Sequence, residues 1–324
     1  MSGKQRSMNA SLYKYKIQKV FNRICMNVNY VIEGKEIKKK FKGFVLDIEE
    51  LKIPKGFSTA LIGENGAGKT TLINILVGIR LDHKGTIRYF DEFDEKEREE
   101  GNRKERIGYV GSGNFYLPQW KVSQVEAVNT LLFEGFHKDR FRAWCKKLAI
   151  FGEKSFDGAK KVNEMSDGNR MKLMLANVFA RDTDCLILDE PASPLDPLMR
   201  DKLCEMIREY IEDGDGERSV LFSTHNISDM ENVTDYAIFM EKGKIVEEGF
   251  IEDLKEKYIV VKGEAEDIEE AKKLLFSIHT NTYGFEGICL AKDMDKLANM
   301  NISCERPNLY QISVAIMQYY SYLT

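Results

Sequence analysis

The most pointed chemistry in the chain sits in one short stretch, Gly63-Glu64-Asn65-Gly66-Ala67-Gly68-Lys69-Thr70, with Thr71 following. Residues 57–62 before it read as a buried strand and residues 69–77 after it as a helix. Three glycines within that stretch let the backbone wrap until its N–H groups converge on one point. The positive end of the following helix faces the same point. A cradle of this kind holds phosphate. Lysine at its end reaches the β- and γ-phosphates of a nucleoside triphosphate, and the neighbouring Thr70 hydroxyl can ligate Mg2+.

A second constellation complements the first. Cys185-Leu186-Ile187-Leu188 is an apolar strand that ends in Asp189 and Glu190. A buried parallel strand delivers such residues to its carboxyl end, where phosphate loops also lie. Asp189 is placed to hold the metal through water, and Glu190 to polarise an attacking water as general base.

The rest of the chain must position these groups. Strands are expected over 57–62, 85–90, 185–188 and 220–223, with β-prone runs between 28 and 60. Helices are expected over 69–77 and 167–181, with mixed helical character over 115–165. Residues 236–248 read as a hairpin around Lys242-Gly243. Strands alternating with helices predict a parallel α/β sheet. Residues 251–324 alternate on their own: a strand at 258–261, a helix at 268–276, a strand at 287–290 and a helix at 309–320. That predicts a small α/β appendage.

Composition bounds the function. Charged residues at 31% and hydrophobic ones at 43% describe a globular chain. No apolar run approaches the ~18 residues of a membrane span, and no leader of secretory type opens the sequence, so a cytosolic location is expected and a membrane role needs a partner. The six cysteines lack metal spacing and are expected to be reduced thiols. Residues 1–42 carry 11 Lys/Arg against 2 Asp/Glu, while the rest carry 37 against 50. Within this basic leader, residues 11–28 place Tyr13, Ile17, Val20, Phe21, Ile24 and Val28 on one helical face. Such a helix could lie on an anionic membrane face, dock on a partner or pack on the chain's own β-layer.

Several further motifs follow in order. Met165-Ser166-Asp167-Gly168-Asn169 opens the helix over 167–181. Ala192-Ser193-Pro194-Leu195-Asp196-Pro197 follows the paired acids, and Phe222-Ser223-Thr224-His225 ends a strand. Together with the phosphate loop, this succession resembles the ATP-binding cassette (ABC) ATPases across roughly residues 30–250. The resemblance implies a P-loop NTPase cassette with a parallel-sheet RecA-like core, an antiparallel β subdomain and a helical subdomain at about 115–181. The expected organisation is a basic extension at 1–28, the cassette at 29–250 and an accessory α/β domain at 251–324.

Carried over residue by residue, the resemblance implies ATP and Mg2+ as ligands and two nucleotide-binding subunits, identical or related, facing each other head to tail. Ser166, Asp167, Gly168 and Asn169 would form the signature that meets the partner's ATP. Asp196 would communicate across the interface, and His225 would hold the γ-phosphate and the attacking water. The family's signature LSGGQ reads MSDGN here, which sets Asp167 beside an anion unless it turns away or pairs. The family's metal-sensing glutamine is replaced after Ile107-Gly108-Tyr109-Val110, with Ser112 at its place as metal-side candidate and Gln119 as a weaker substitute. The aromatic that stacks on adenine has no clear tyrosine; Phe41 is the candidate and Phe44 the alternative.

The stretch Phe41-Lys42-Gly43-Phe44-Val45-Leu46-Asp47, together with the C-terminal appendage, is similar to ATPase subunits of bacterial exporters whose permease is a separate chain. The expected function is therefore an ATPase on the cytoplasmic membrane face that drives a transmembrane permease, with no nucleic acid partner. The alternative is a soluble cassette ATPase, or a nucleotide sensor uncoupled from transport.

Overall fold

The structure is a computed structural model and describes residues 28–90, 105–111, 113, 115–152, 156–297 and 300–322. The helix expected over 11–28 lies almost entirely outside the described residues, as does Ser112.

The central sheet has six strands in the order β5-β6-β7-β3-β8-β9: β5 (Ile107–Val110), β6 (Cys185–Leu188), β7 (Ser219–Thr224), β3 (Ser58–Ile62), β8 (Tyr236–Glu241) and β9 (Lys244–Phe250). The first five run parallel, and β9 returns antiparallel through the Lys242-Gly243 turn. β3, β6 and β7 are buried along their whole length. Strands covered on both faces carry continuous apolar runs rather than alternation, and that is why these segments were legible.

One face of this sheet is roofed by a three-stranded antiparallel sheet of β2 (Phe44–Pro54), β1 (Tyr30–Phe41) and β4 (Lys84–Tyr89). Helix α1 (Lys69–Leu76) shares that core, where Ile32, Leu46 and Leu51 pack with Leu61, Leu72 and Ile187. The other face carries helices α2 (Val122–Leu132), α3 (Lys138–Lys147), α4 (Asp167–Phe179) and α5 (Pro197–Glu212), whose apolar residues form a second core with Ala60, Leu188 and Phe222. Helix α5 was not among the expected elements.

After α6 (Ile251–Lys257) a separate antiparallel sheet runs in the order β11-β12-β10-β13. Its strands are β10 (Tyr258–Glu264), β11 (Ser277–Asn281), β12 (Gly284–Leu290) and β13 (Ile302–Glu305). The strands at 277–281 and 302–305 were not foreseen. The helix expected over 268–276 is cut to α7 (Ile268–Ala271). The chain then turns so that Phe276 donates its N–H to Ile288 O and sets its ring 4.4 Å from that of Tyr319. This tertiary aromatic contact overrides the local helical pattern. Helix α8 (Leu309–Tyr322) joins the appendage to the cassette: Leu309, Ile312 and Ile316 are buried in one core with Phe239 and Ile251 on one side and Val260 and Ile288 on the other.

Candidate active site

Parallel topology brings the carboxyl ends of β3, β6 and β7 side by side, with β3 next to β7 and β7 next to β6. Each end delivers one part of the site.

The loop after β3 leads into α1. Gly66 and Gly68 take φ of 90° and 106°. A side chain at Gly68 would also clash, since its Cβ would lie 2.8 Å from Phe44 Cζ. No side chain caps α1, so its first-turn N–H groups face the loop. Lys69 is 5% exposed. Its ammonium donates to the carbonyls of Gly63 at 2.6 Å and Glu64 at 3.2 Å, with Glu190 Oε1 3.4 Å away. These three acceptors match the three donors of the group. Thr70 is exposed and Thr71 half-buried at the start of the same helix.

At the end of β6, Asp189 is 1% exposed. Its Oδ1 accepts from Ser223 Oγ at 2.5 Å, while Oδ2 is buried with no hydrogen-bond partner among the described residues. A buried carboxylate oxygen without a donor is costly unless a cation or its bound water satisfies it. With the Thr70 hydroxyl, the donor set fits Mg2+, a hard ion that takes oxygen ligands.

Glu190 adopts φ 51°, left-handed for a residue with a Cβ. Ser223 holds it there by accepting Glu190 N–H at 2.9 Å. The turn aims the Glu190 carboxylate so that Oε2 lies 2.8 Å from His225 Nδ1. An Nδ1–H in this contact donates to the Glu190 carboxylate oxygen and leaves Nε2 for a ligand.

Ser223 thus bonds both acids at once, a role that nothing local in the sequence marks, since Ser219 and Thr224 are hydroxyl residues of the same strand. Ser223→Ala is expected to lower stability by about 1–3 kcal/mol, because Asp189 Oδ1 loses its Ser223 donor, and to reduce turnover more than nucleotide affinity. Thermal melting and a kcat/KM split measure both.

The signature segment begins α4. Ser166 caps that helix by accepting Asn169 N–H at 3.3 Å, and its own O–H remains available to donate. Asp167 pairs with Arg170 at 2.8 Å and is 84% exposed, so the charge that threatened an anion is offset within its own helical turn. Met165 is buried in the helical core, Arg170 reaches Val162 O, and Gly168 lies against the turn after Glu190. Among the described residues no hydrogen bond or ion pair of this segment reaches the phosphate loop of the same chain.

The Nod factor export ATP-binding protein I of Paraburkholderia xenovorans is 30% identical over 222 residues, covering 67% of this chain and 70% of that protein. The chain belongs to the ABC transporter family. The family model described as ABC transporter matches residues 46–193. The nickel import ATP-binding protein NikO of Rhodobacter capsulatus is 28% identical over 211 residues, covering 62% of this chain and 81% of that one. Among solved structures, a dimeric post-hydrolysis ATP-binding cassette bound to ADP and Pi superposes with a TM-score of 0.57 at 20% identity, covering 68% of this chain and 98% of that one. The P-loop ABC fold expected from the motifs is therefore correct, and the chain is an ATP-binding ABC subunit with the family's ATPase chemistry.

The remaining ABC motifs divide into those the fold brings to the nucleotide loop and those it does not. Lys69, Asp189, Glu190 and His225 converge. Asp196 instead caps α5, accepting Met199 N–H at 3.1 Å ahead of Pro197. Gly168 lies against the turn that carries Asp196: a Cβ there would sit 2.9 Å from Pro194 O. Gly168→Ala is expected to push the signature off that turn. ATP binding should be unchanged and turnover about tenfold lower, read by equilibrium titration beside steady-state hydrolysis.

Phe44 packs inward against Gly68, Leu46 and Met240. Phe41 stands farther out, its ring 6.1 Å from that of Phe44, with the Arg80 guanidinium 5.0 Å and the Lys39 ammonium 5.5 Å from its centroid. Gln119 is exposed on the loop before α2. Sequence reasoning did not single out Tyr109. Its hydroxyl lies 3.3 Å from Asn74 Oδ1 on α1, and burial followed by the Asp189 charge pushes its pKa up to about 12. Tyr109 therefore stays a proton donor beside Asp189.

Proposed function

We propose that this chain is the motor of a membrane exporter: it binds MgATP, pairs with a second nucleotide-binding subunit and drives a separate permease. The single observation behind this reading is the convergence of Lys69, Asp189, Glu190 and His225 on one loop, linked by contacts of 3.4 Å and 2.8 Å through Glu190.

In this reading Gly63 through Thr71 wrap the triphosphate, and Phe41 offers its ring to adenine. Thr70, and Asp189 through water, would hold Mg2+, which would supply positive charge to offset that of the phosphates. Ser112, at the sequence position of the family's metal-sensing glutamine, is the further metal-side candidate. Glu190 accepts a proton from the attacking water, and His225 orients that water and the γ-phosphate. Ser166, Asp167, Gly168 and Asn169 present a helix N-terminus to the nucleotide of the facing subunit, with Asp196 at the join. Residues 29–250 form the cassette, 251–324 an accessory domain and 1–28 a basic extension.

The dimeric state of the structural relative supports pairing. The export relative supports the direction, although an import subunit is nearly as similar. Among the described residues no helix is long and apolar enough to cross a membrane. Phe115 and Leu117 before α2, and Leu131 and Leu132 at its end, are exposed apolar side chains that suit docking on such a chain.

Affinity purification of the tagged chain from its native membranes tests the coupling. A stoichiometric partner of about six spans is expected, with ATPase activity that changes when that partner is bound. A chain found wholly in the soluble fraction, with activity indifferent to membranes, would overturn the transporter reading and leave the ATPase intact.

A further inference from the structure

Arg200 lies in the first turn of α5, just beyond Asp196, and no motif considered above includes it. Its guanidinium makes two bonds in two directions. Nε donates to Leu195 O at 2.9 Å, and Nη1 donates to Asp229 Oδ2 at 2.7 Å. Leu195 belongs to the turn that leaves Glu190: Ser193 N–H donates to Glu190 O at 3.2 Å and Leu195 N–H to Ala192 O at 3.1 Å. Asp229 belongs to the turn that leaves His225. Its same Oδ2 accepts Asn226 Nδ2 at 3.2 Å, and Asn226 in turn exchanges bonds with Thr224, donating its N–H to Thr224 Oγ1 at 3.0 Å and accepting from it at 2.9 Å.

These contacts close a ring. It runs from Glu190 through the turn to Leu195, across Arg200 to Asp229, then through Asn226 to His225, and back to Glu190 by the 2.8 Å contact. The proposed base and the proposed γ-phosphate residue sit together at one end, and Arg200 is the clasp at the other. The signature touches the same ring where Gly168 meets Pro194 O.

An exposed ion pair is usually worth little. Arg200 and Asp229 are only 27% and 26% exposed, and the planar fork spans two elements rather than one partner. Lysine keeps the charge but lacks the planar fork whose separate nitrogens meet the two acceptors here.

We propose that Arg200 is a positioning residue: its guanidinium ties the turn carrying Glu190 to the turn carrying His225 and so fixes the spacing of the hydrolytic pair. Displacement of the signature or of the Asp196 turn by a facing subunit reaches His225 through this clasp. The inference rests on the proposed role of His225.

The test uses the full chain with Arg200→Lys, Asp229→Asn and His225→Ala, each assayed for MgATP affinity, kcat, KM and melting temperature. Arg200→Lys is expected to bind MgATP within about twofold of the parent and to lose about tenfold in kcat, since small misplacements of reacting groups cost one to two orders of magnitude. Asp229→Asn, close in shape, is expected to reproduce that loss. The double variant is expected to be no slower than either single, because both open the same clasp. If Arg200→Lys and Asp229→Asn keep kcat within about twofold while His225→Ala is inactive, the clasp is refuted and the site reading stands. If His225→Ala itself hydrolyses normally, the role of His225 fails and this inference fails with it. Additive losses that follow melting temperature would reduce Arg200 to a stabilising residue and refute the proposal.

Discussion

Glu190→Gln binds MgATP as the parent does, turns over at least about a hundredfold more slowly and accumulates as a nucleotide-bound dimer: this is the expected result with the sharpest separation of binding from chemistry. The substitution keeps the side chain's length and the backbone N–H bond to Ser223, so the left-handed turn at φ 51° should survive. What it removes is basicity. An amide cannot accept the proton of the attacking water at neutral pH, and it no longer attracts the imidazole 2.8 Å away as a charge. It also removes a negative charge 3.4 Å from Lys69, which frees the ammonium for phosphate and favours retention of ATP. Single-turnover hydrolysis and gel filtration with MgATP measure the two halves. Hydrolysis within a few fold of the parent would exclude Glu190 as the base.

The parts of this site that could be read in sequence are those whose chemistry is local. The phosphate loop declares itself within eight residues, and Asp189 and Glu190 declare themselves as acids ending an apolar strand. Helix α5 was legible in principle: buried Met199, Leu203, Ile207 and Tyr210 fall on one face, behind an Asp-Pro start. The pairing of Asp167 with Arg170 was also within reach, being an i,i+3 contact on a helix.

Other features depend on distant partners. Ser223 gains its role only when β7 lies beside β6, and Arg200 only when α5 meets residues 29 positions along the chain. That Phe44 packs against Gly68 while Phe41 stands farther out depends on the β1–β2 hairpin, not on local sequence. In the appendage, the stretch over 268–276 carries a helical pattern that the rings of Tyr258 and Tyr319 override by drawing Phe276 away. Local rules fail where a long-range contact is worth more than a few tenths of a kcal/mol per residue of propensity.

Lys69→Ala should show the opposite signature. Two charge-assisted bonds to phosphate are worth about 3 kcal/mol or more together, so the dissociation constant for MgATP should rise roughly a hundredfold. The free protein changes as well: the carbonyls of Gly63 and Glu64 lose their shared donor, and Glu190 loses its cation. A modest fall in melting temperature is therefore expected, and Lys69→Met separates it from the binding effect by keeping most of the buried stem. Calorimetric titration of both variants with a non-hydrolysable triphosphate reads the affinity directly. Loss in both, with the methionine variant melting nearer to the parent, assigns the effect to the ammonium. Unchanged affinity in either would mean that the triphosphate lies elsewhere, and the reading of Asp189, Glu190 and His225 as its hydrolytic partners would fall with that of the loop.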